Sequence, residues 1–488
     1  MKTPILPFLF LLITFLSCEA GKGPDKETEP ASISIISPEN NSVIQDTVII
    51  VCEFSNNDNL YKIDLWVNGD SIGIADSTAP YALSWKTKNY KNNSYSLFIR
   101  SYDNDGNTTD SETINVIIDN FLIYNTTFGF EGISEAGHSI LQTMDSNFVI
   151  LGSTDEDILL LKTNHAGDKL WHQTFGGSQT DKARHIQQTS DGGYIISGTT
   201  KSYGSGGLDI WLIKTDASGL IEWNKYFGSS EDEHAGQVQQ TPDGGYAIIG
   251  DIINPENGDQ DLWLIKTNSL GDITWSKVYG GTNNELGFDL QLTDDGGFLL
   301  LGSTESIGSG GADIWIIKTD INGNLEWDRS YGGGSDDHGQ SIIQTHDGGY
   351  LVRSKIESFG DDNTAINILR LNPNGEIIWT KSFGGSNGES GNAIAQTNDN
   401  GYILVCNFYD HGDSAFDIWL VNINDDGTVI WDKTFGDIQT DIGYSTLQTK
   451  DGGFAVVGLT YNYETMDETS DLWLIKTDPS GNTITLTQ

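Results

Sequence analysis

The stretch Asp209-Ile-Trp-Leu-Ile-Lys-Thr215, followed by Asp216-Ala-Ser-Gly219 and Leu220-Ile-Glu-Trp-Asn-Lys-Tyr-Phe227, decides the fold of this chain. Its first segment is almost continuously apolar, which is typical of a strand buried on both faces. The Ser-Gly pair that follows is turn chemistry, because glycine adopts the positive φ that tight hairpins need. The stretch therefore predicts a β-hairpin whose first strand lies inside a core.

This hairpin recurs along the chain. Tryptophans lie 52 residues apart at positions 171, 223, 275, 327, 379 and 431. The aromatic residues that follow the Asp-Gly-Gly turns and their equivalents define seven units: Phe148, Tyr194, Tyr246, Phe298, Tyr350, Tyr402 and Phe454. An internal repeat of about 50 residues predicts a propeller or a linear array.

Each unit is predicted to form four strands, which in the second unit lie near residues 183–188, 194–199, 209–215 and 221–227. A single four-stranded sheet cannot bury two apolar faces, whereas seven sheets packed radially can. Residues 123–129 copy the Trp-x-x-x-Phe-Gly strand, and the last unit stops short of that pattern. We therefore expect a seven-bladed β-propeller of four-stranded blades over residues 121–488, with the N-terminal strand completing the final blade.

The units resemble bacterial propeller repeats with the consensus Trp-x-x-x-Phe-Gly-Gly, then Asp-Gly-Gly-Tyr and Asp-Ile-Trp-Leu-Ile-Lys. The resemblance runs from Ile123 to the end of the chain. It implies a propeller on an exported protein, and it implies no particular activity.

Residues 33–119 carry short alternating apolar runs separated by Asn, Asp, Gly and Pro, a pattern that predicts a small antiparallel sandwich. The segments that resemble bacterial immunoglobulin-like spacer domains are Ile35-Ile-Ser-Pro38, Trp66-Val-Asn-Gly69 and Ser101-Tyr-Asp-Asn-Asp-Gly-Asn107. The last of these alternates oxygen-bearing side chains as a calcium loop does, although Asp-Gly is also a turn pair. We favour the turn. The predicted fold class is all-β: a small Ig-like β-sandwich followed by the propeller.

The first 18 residues carry one early lysine, an apolar run from Ile5 to Leu16, and Cys18. This pattern indicates an export signal, since the run is shorter than the roughly 20 apolar residues that span a membrane. The end of the segment resembles a bacterial lipoprotein signal, which implies that Cys18 is acylated. Residues 19–32 are polar and predict a flexible tether. We expect an exported protein held to the cell envelope, at the outer membrane or cell surface, through its N-terminal lipid alone.

Charge excludes one class of partner. The chain has 26 Lys plus Arg against 69 Asp plus Glu, a formal net charge of −43. A field this negative repels a phosphate backbone, so no nucleic-acid partner is expected. Three cysteines do not provide a disulfide framework, so stability has to come from the core.

An acidic residue precedes the first strand of every unit. The series is Glu135, Asp181, Glu233, Glu285, Asp337, Glu389 and Asp441. If the first strands line a channel, these carboxylates form an acidic ring that can attract a cation or a basic ligand. Alternatively, each carboxylate accepts hydrogen bonds from its own loop. We favour the structural alternative, because a feature present in every unit is usually needed for folding.

Binding specificity is expected where the repeat is broken. The fifth unit departs most, with Arg353 and Ser354 in place of a small residue and Gly, and with Arg370 where Lys is usual. Arg353, Lys355 and Arg370 form the candidate site for a carboxylate of a partner or of a sugar acid. Drift within one unit explains the same departures.

The sequence contains no catalytic constellation that stands out from the repeats, and neither a cofactor nor a metal is predicted. The eight histidines lack zinc-site spacing, and there is no Gly-x-Ser-x-Gly elbow or P-loop. Residues 216–223 also resemble the tryptophan motif of quinoprotein dehydrogenase propellers, so a propeller enzyme acting on a glycan, or a quinoprotein-like dehydrogenase, is the alternative. We expect a non-catalytic envelope protein whose propeller binds a protein or a glycan.

Overall fold

The structure is a computed structural model that describes residues 32–44, 47–55, 59–78, 81–87, 90, 93–118, 122–129, 133–356, 366–384, 390–410, 415–436, 438–461 and 469–483. The predicted signal, Cys18 and nearly all of the predicted tether lie outside these residues. The described residues are all-β, without an α-helix. In that part of the chain, no helix has the length and apolar character needed to cross a membrane. Contacts divide the chain into two units, residues 1–120 and 121–488.

The first unit is a sandwich of two sheets. Its strands are β1 (Ile33–Ser37), β2 (Ser42–Ile44), β3 (Thr47–Phe54), β4 (Leu60–Val67), β5 (Asp70–Asp76), β6 (Ala82–Lys86), β7 (Asn93–Asp103), β8 (Thr108–Asp110) and β9 (Ile114–Ile118). One sheet has the order β1-β3-β6, and the other has the order β2-β9-β7-β4-β5, with β8 on β7. Side chains from both sheets, such as Ile50, Trp85, Ile63 and Leu97, share one core.

The candidate calcium loop in this unit is a turn. Asp103 Oδ1 accepts hydrogen bonds from the backbone N–H groups of Asp105, at 2.9 Å, and Asn107, at 2.8 Å. Asn107 Nδ2 donates to the other Asp103 oxygen at 2.8 Å. The carboxylate therefore holds the turn together, as the Asp-Gly pair indicates.

The second unit begins with β10 (Tyr124–Phe128) and continues through 27 further strands. They are β11 (Ala136–Gln142), β12 (Phe148–Ser153), β13 (Ile158–Thr163), β14 (Lys169–Phe175), β15 (Asp181–Gln188), β16 (Tyr194–Thr200), β17 (Asp209–Thr215), β18 (Ile221–Phe227), β19 (His234–Gln240), β20 (Tyr246–Ile253), β21 (Gln260–Thr267), β22 (Ile273–Tyr279), β23 (Glu285–Leu292), β24 (Phe298–Thr304), β25 (Asp313–Thr319), β26 (Leu325–Tyr331), β27 (Asp337–Gln344), β28 (Tyr350–Ile356), β29 (Ile366–Leu371), β30 (Ile377–Phe383), β31 (Ser390–Gln396), β32 (Tyr402–Asp410), β33 (Ala415–Ile423), β34 (Val429–Phe435), β35 (Asp441–Gln448), β36 (Phe454–Tyr461) and β37 (Ser470–Thr477).

These strands form seven four-stranded antiparallel sheets within the described residues. Six sheets take four consecutive strands each, from β11–β14 to β31–β34. The seventh has the order β10-β37-β36-β35, with Tyr124 opposite Lys476 and Phe128 opposite Leu472. The prediction that the N-terminal strand completes the last unit is confirmed by this pairing.

The hydrophobic cores of the second unit lie between consecutive sheets. Every residue of β17 is buried, as its apolar sequence predicts. One core joins the first sheet to the seventh, with Ile150 and Leu159 packed among Val457 and Leu472. Burying a side chain of this size is worth about 1.5 to 3 kcal/mol, so these shared cores bind each sheet to its neighbour.

The same polar contact links consecutive sheets and also links the last sheet to the first. The backbone N–H of Ser190 donates to Gln240 Oε1 at 2.8 Å, which links the second sheet to the third. The N–H of Lys450 donates in the same way to Gln142 Oε1 at 2.8 Å, which links the seventh sheet to the first. First strands also contact one another in order, and β11 contacts both β15 and β35.

Candidate functional site

The first strand of each sheet contains a β-bulge. The register of β11 against β12 shifts between Gly137 and Ser139, and equivalent shifts occur in the other six first strands. The residues left unpaired, called here the bulge residues, are His138, Arg184, Gly236 with Gln237, Phe288, Gln340, Asn392 and Tyr444. Bulges re-aim side chains and are frequent next to active sites.

The bulge residues differ from unit to unit, whereas the residues around them repeat. Each follows a Gly or Ala that lies two positions after the acidic residue of its unit. Sequence reasoning missed this set, although variation at one fixed place in the repeat was a usable signal. Because first strands of adjacent sheets are in contact, these dissimilar side chains come from neighbouring positions in the molecule.

Three bulge residues from adjacent sheets form a cluster, the His138 recess: Tyr444, His138 and Arg184. The rings of His138 and Tyr444 have centroids 5.0 Å apart and planes inclined at 59°. His138 Nε2 is hydrogen bonded to Ser153 Oγ at 2.8 Å. Burial, with a smaller contribution from the charge of Arg184, lowers the pKa of His138 to about 4, so this imidazole is neutral at pH 7.

Arg184 is exposed to solvent. Desolvation by the surrounding protein lowers the pKa of its guanidinium, an effect that Asp251 opposes. Arg184 Nε donates to the carbonyl oxygen of Ala235 at 3.2 Å. Among the described residues no carboxylate forms an ion pair with it, because Asp251 is taken up by His234 Nδ1 at 3.1 Å and Gln260 Nε2 at 3.0 Å.

The described members of the predicted acidic ring are buried, and four of them accept a hydrogen bond from an N–H of their own loop. Glu389 lies outside the described residues, and the other six members are at most 1% exposed: Glu135, Asp181, Glu233, Glu285, Asp337 and Asp441. Asp181 accepts from the N–H of Gly177 at 2.9 Å, and Glu285 accepts from the N–H of Gly281 at 2.7 Å. In these units the geometry is that of the structural alternative, in which the carboxylate accepts hydrogen bonds from its own loop.

Asp residues at the start of third strands lie close to the carboxylates of the predicted ring, next to a glycine. A Cβ atom on Gly280 would lie 1.8 Å from Asp261 Oδ1 and 2.9 Å from Glu285 Oε2, and Gly332 has the same relation to Asp313 and Asp337. The two carboxyl groups of each pair come from consecutive sheets. Burial, then repulsion from its partner, raises the pKa of Asp313, and burial and Glu285 likewise raise the pKa of Asp261.

Several third-strand Asp side chains of the described residues carry one buried oxygen that accepts no hydrogen bond. Asp209 Oδ1, Asp261 Oδ1 and Asp313 Oδ1 are buried without a hydrogen-bond partner in the described residues. In the same part of the chain, no three or more His, Cys, Asp or Glu side chains form a metal-binding group. Burial raises the pKa of the third-strand Asp in the Asp261–Glu285 and Asp313–Asp337 pairs, whereas beside Asp209 burial raises the pKa of the first-strand Glu233.

The three members of the predicted basic site in the fifth unit do not share one environment: Arg353 and Arg370 are buried, and Lys355 is exposed. Arg370 is 3% exposed, and its Nη2 lies 2.7 Å from Asp347 Oδ1. Lys214 in the second sheet binds Asp191 in the same way, at 2.9 Å, so Arg370 performs the role of the usual lysine.

The other two members of that candidate site differ in exposure. Arg353 is 3% exposed and donates to the Gln340 side chain and to the Gly391 carbonyl oxygen. Lys355 is exposed. The structure therefore buries both arginines in protein contacts and presents only Lys355 at the surface, an arrangement unlike a surface site for a carboxylate.

A groove of about 480 Å³ lies on the outer strands, between the fourth sheet and the turn of the fifth. Tyr331 and Gly375 line it, and the Tyr331 hydroxyl donates to the Gly375 carbonyl oxygen at 2.5 Å. The groove is on β26, the strand farthest in its sheet from the bulge of β23.

Comparisons with known proteins assign the first unit. Residues 32–99 match the family described as bacterial Ig domain, which confirms the predicted Ig-like sandwich. No curated protein matches the sequence.

Solved structures similar to this chain share little sequence identity with it. A catalytically inactive virginiamycin B lyase from Staphylococcus aureus is 13% identical with a TM-score of 0.49, covering 73% of this chain and 100% of its own. Sqt1 from Chaetomium thermophilum is 10% identical with a TM-score of 0.43, covering 91% and 100%. Drosophila Plexin A is 8% identical with a TM-score of 0.42, covering 73% and 87%.

Proposed function

We propose that the second unit is a closed seven-bladed β-propeller whose bulge residues form a binding surface for a protein or a glycan, and that the protein is non-catalytic. Closure is supported by β10 in the seventh sheet and by the Lys450–Gln142 hydrogen bond between the last sheet and the first. In a closed propeller the first strands surround the central channel, so the bulge residues lie together at its wall.

The binding role is supported by one observation: the residues of the strands and their shared cores repeat from unit to unit, whereas the bulge residues vary. The bulge residues include an imidazole, a guanidinium, a phenyl ring, a phenol and three carboxamides. Arginine and aromatic residues dominate the energy of binding surfaces. A bulge at the same position of every unit gives one surface five kinds of chemical group within the same sheet architecture.

The N-terminal segment supplies the location in this proposal. Cys18 is the lipid attachment site, residues 19–32 are the tether, and the Ig-like domain is a spacer that carries the propeller away from the envelope. The apolar run before Cys18 and the confirmed Ig domain support this arrangement. Mass spectrometry of the N-terminal peptide from a producing bacterium tests it. An acylated Cys18 is expected, and a Cys18→Ser variant should lose its membrane fraction.

Binding is tested with the full mature chain on a glycan array and in pull-downs from envelope extract. A triple variant, His138→Ala, Phe288→Ala, Tyr444→Ala, should lose at least tenfold in affinity for any captured ligand. The control is the double variant Ile378→Ala, Ile430→Ala, which removes apolar side chains 54% and 53% exposed on the outer strands. Loss of binding in the control with full binding in the triple variant contradicts the proposal. So does conversion of the ligand into a product.

A further inference from the structure

The His138 recess combines a cationic group with two ring faces, and this combination selects a ligand class. Arg184 is exposed and without an ion-pair partner among the described residues, and only its Nε has an acceptor there. His138 lies on the first sheet, whose first strand contacts that of Arg184, and its ring packs against the ring of Tyr444 on the seventh sheet. We propose that the recess binds the carboxylate-bearing sugar of an acidic glycan, with Arg184 holding the carboxylate and Tyr444 stacking on the sugar.

The guanidinium of Arg184 is the group that would recognise the carboxylate of the ligand. Its planar fork of donors matches the two oxygens of a carboxylate, and such charge-assisted pairs are stronger than neutral hydrogen bonds. Asp251, the acidic residue that acts on Arg184, is already hydrogen bonded to His234 and Gln260. The positive charge therefore remains available to a ligand, on a chain of net charge −43.

The remaining groups favour a sugar over an acidic peptide. Tyr444 presents an amphipathic ring, and its hydroxyl suits the alternation of C–H faces and hydroxyls on a sugar. Neutral His138 adds a second ring without a competing charge. The inference rests on the proposed binding function and goes further by naming the ligand class and the residue that recognises its charge.

The experiment compares two probes that differ in one group. The first probe is a uronic-acid-terminated oligosaccharide, and the second is the same oligosaccharide with the carboxylate reduced to a primary alcohol. Calorimetric titration of the full mature chain should show at least tenfold tighter binding of the acidic probe. Arg184→Gln should remove this preference and leave the affinity for the reduced probe unchanged. Tyr444→Ala should weaken both probes alike.

Lys182→Gln is the matched control, because Lys182 is exposed on the same strand as Arg184 and carries the same charge. It should keep the full preference for the acidic probe. Each variant is first shown to melt as the parent does, so that unfolding is not read as lost binding.

Three outcomes overturn the inference: equal affinity of the parent chain for both probes, an unchanged preference in Arg184→Gln, or binding of acidic peptides with no binding of the sugar. If the array finds other ligands that depend on the bulge residues, only this inference fails. If no ligand depends on them, the proposed binding function fails with it.

Discussion

At the scale of single residues, the glycine that ends each fourth strand controls how closely two sheets approach. A Cβ atom at Gly280 would lie 1.8 Å from Asp261 Oδ1 and close to Glu285, a distance that packed atoms do not tolerate. The requirement is spatial, since the φ of this glycine is not in the positive range. The Phe-Gly or Tyr-Gly pair of the repeat is therefore explained by the carboxyl pair beneath it.

Gly280→Ala is expected to lower the free energy of unfolding by about 2 to 4 kcal/mol, because the methyl group displaces the buried carboxyl pair. Chemical denaturation followed by tryptophan fluorescence measures the change. Gly334→Ala is the control, since a Cβ atom there would meet nothing within 4 Å and the φ is not positive. Equal losses in both variants would show that packing at the carboxyl pair is not the cause.

Asp261→Asn tests whether the raised pKa of Asp261 makes stability depend on pH. The folded-state pKa of Asp261 is raised above its unfolded value, so its contribution is present at pH below the unfolded pKa and is lost as pH rises through the folded pKa. At pH 8 the variant should be more stable than the parent, on the order of 1 kcal/mol, because an amide donates where two carboxylates repel. Its stability should also vary less between pH 4 and 8, as measured by denaturation at each pH.

Glu256→Gln removes an acidic charge from the exposed connection before the same strand and serves as the control. It should leave the pH dependence as it is in the parent. If the stability of Asp261→Asn varies with pH as that of the parent does, the raised pKa of Asp261 is not the cause of the dependence.

Sequence reasoning predicted the first acidic series and its structural role, because a residue present in every unit is visible in one chain. It did not predict that Asp261 and Glu285 meet, since 24 positions and a sheet boundary separate them. It also treated Arg353 and Arg370 as exceptions at a surface, whereas burial makes them part of the packing. Burial depends on the neighbouring sheet, which the local pattern does not specify.

At the scale of elements, the third strand of five sheets is joined to the preceding hairpin turn by a buried cation. Lys214, Lys266, Lys318, Arg370 and Lys476 all contact the Asp of the turn between the first and second strands. The lysine ammonium groups and Arg370 Nη1 also donate to the carbonyl oxygen of the next residue. The cation therefore ties three strands of one sheet at a single point.

Arg370→Lys should change the free energy of unfolding by less than about 1 kcal/mol, because lysine performs this role in four other sheets. Arg370→Met should cost about 1 to 3 kcal/mol, since the Leu371 carbonyl and Asp347 lose their donor. Thermal denaturation of the three proteins measures both changes. A binding defect in Arg370→Lys with unchanged stability would instead support the ligand site predicted from the sequence.

At the scale of the whole molecule, β10 connects the two ends of the second unit. Its pairing with β37 completes the seventh sheet, and Tyr124 lies against Gly167 in the turn of the first sheet. In the other sheets a tryptophan occupies this place, such as Trp171 against Gly219. The strand therefore contributes both a sheet edge and a contact between sheets.

A chain that begins at residue 130 should lose cooperative unfolding that a chain beginning at residue 121 retains. Without β10 the edge of β37 is unpaired, and exposed edges recruit strands from other molecules. Calorimetry and size-exclusion chromatography should show a broadened transition and dimers or larger species for the shorter chain. Identical melting and a monomeric state for both chains would contradict a closing role for β10.

Pairing β10 with β37 also imposes an order on biosynthesis. The ribosome makes β10 before any other strand of its unit, yet the partner strand is complete only at Thr477. A nascent chain therefore carries β10 without its partner strand until Thr477 has been made. The seventh sheet is consequently the last of its unit to be completed, however early the intervening sheets form.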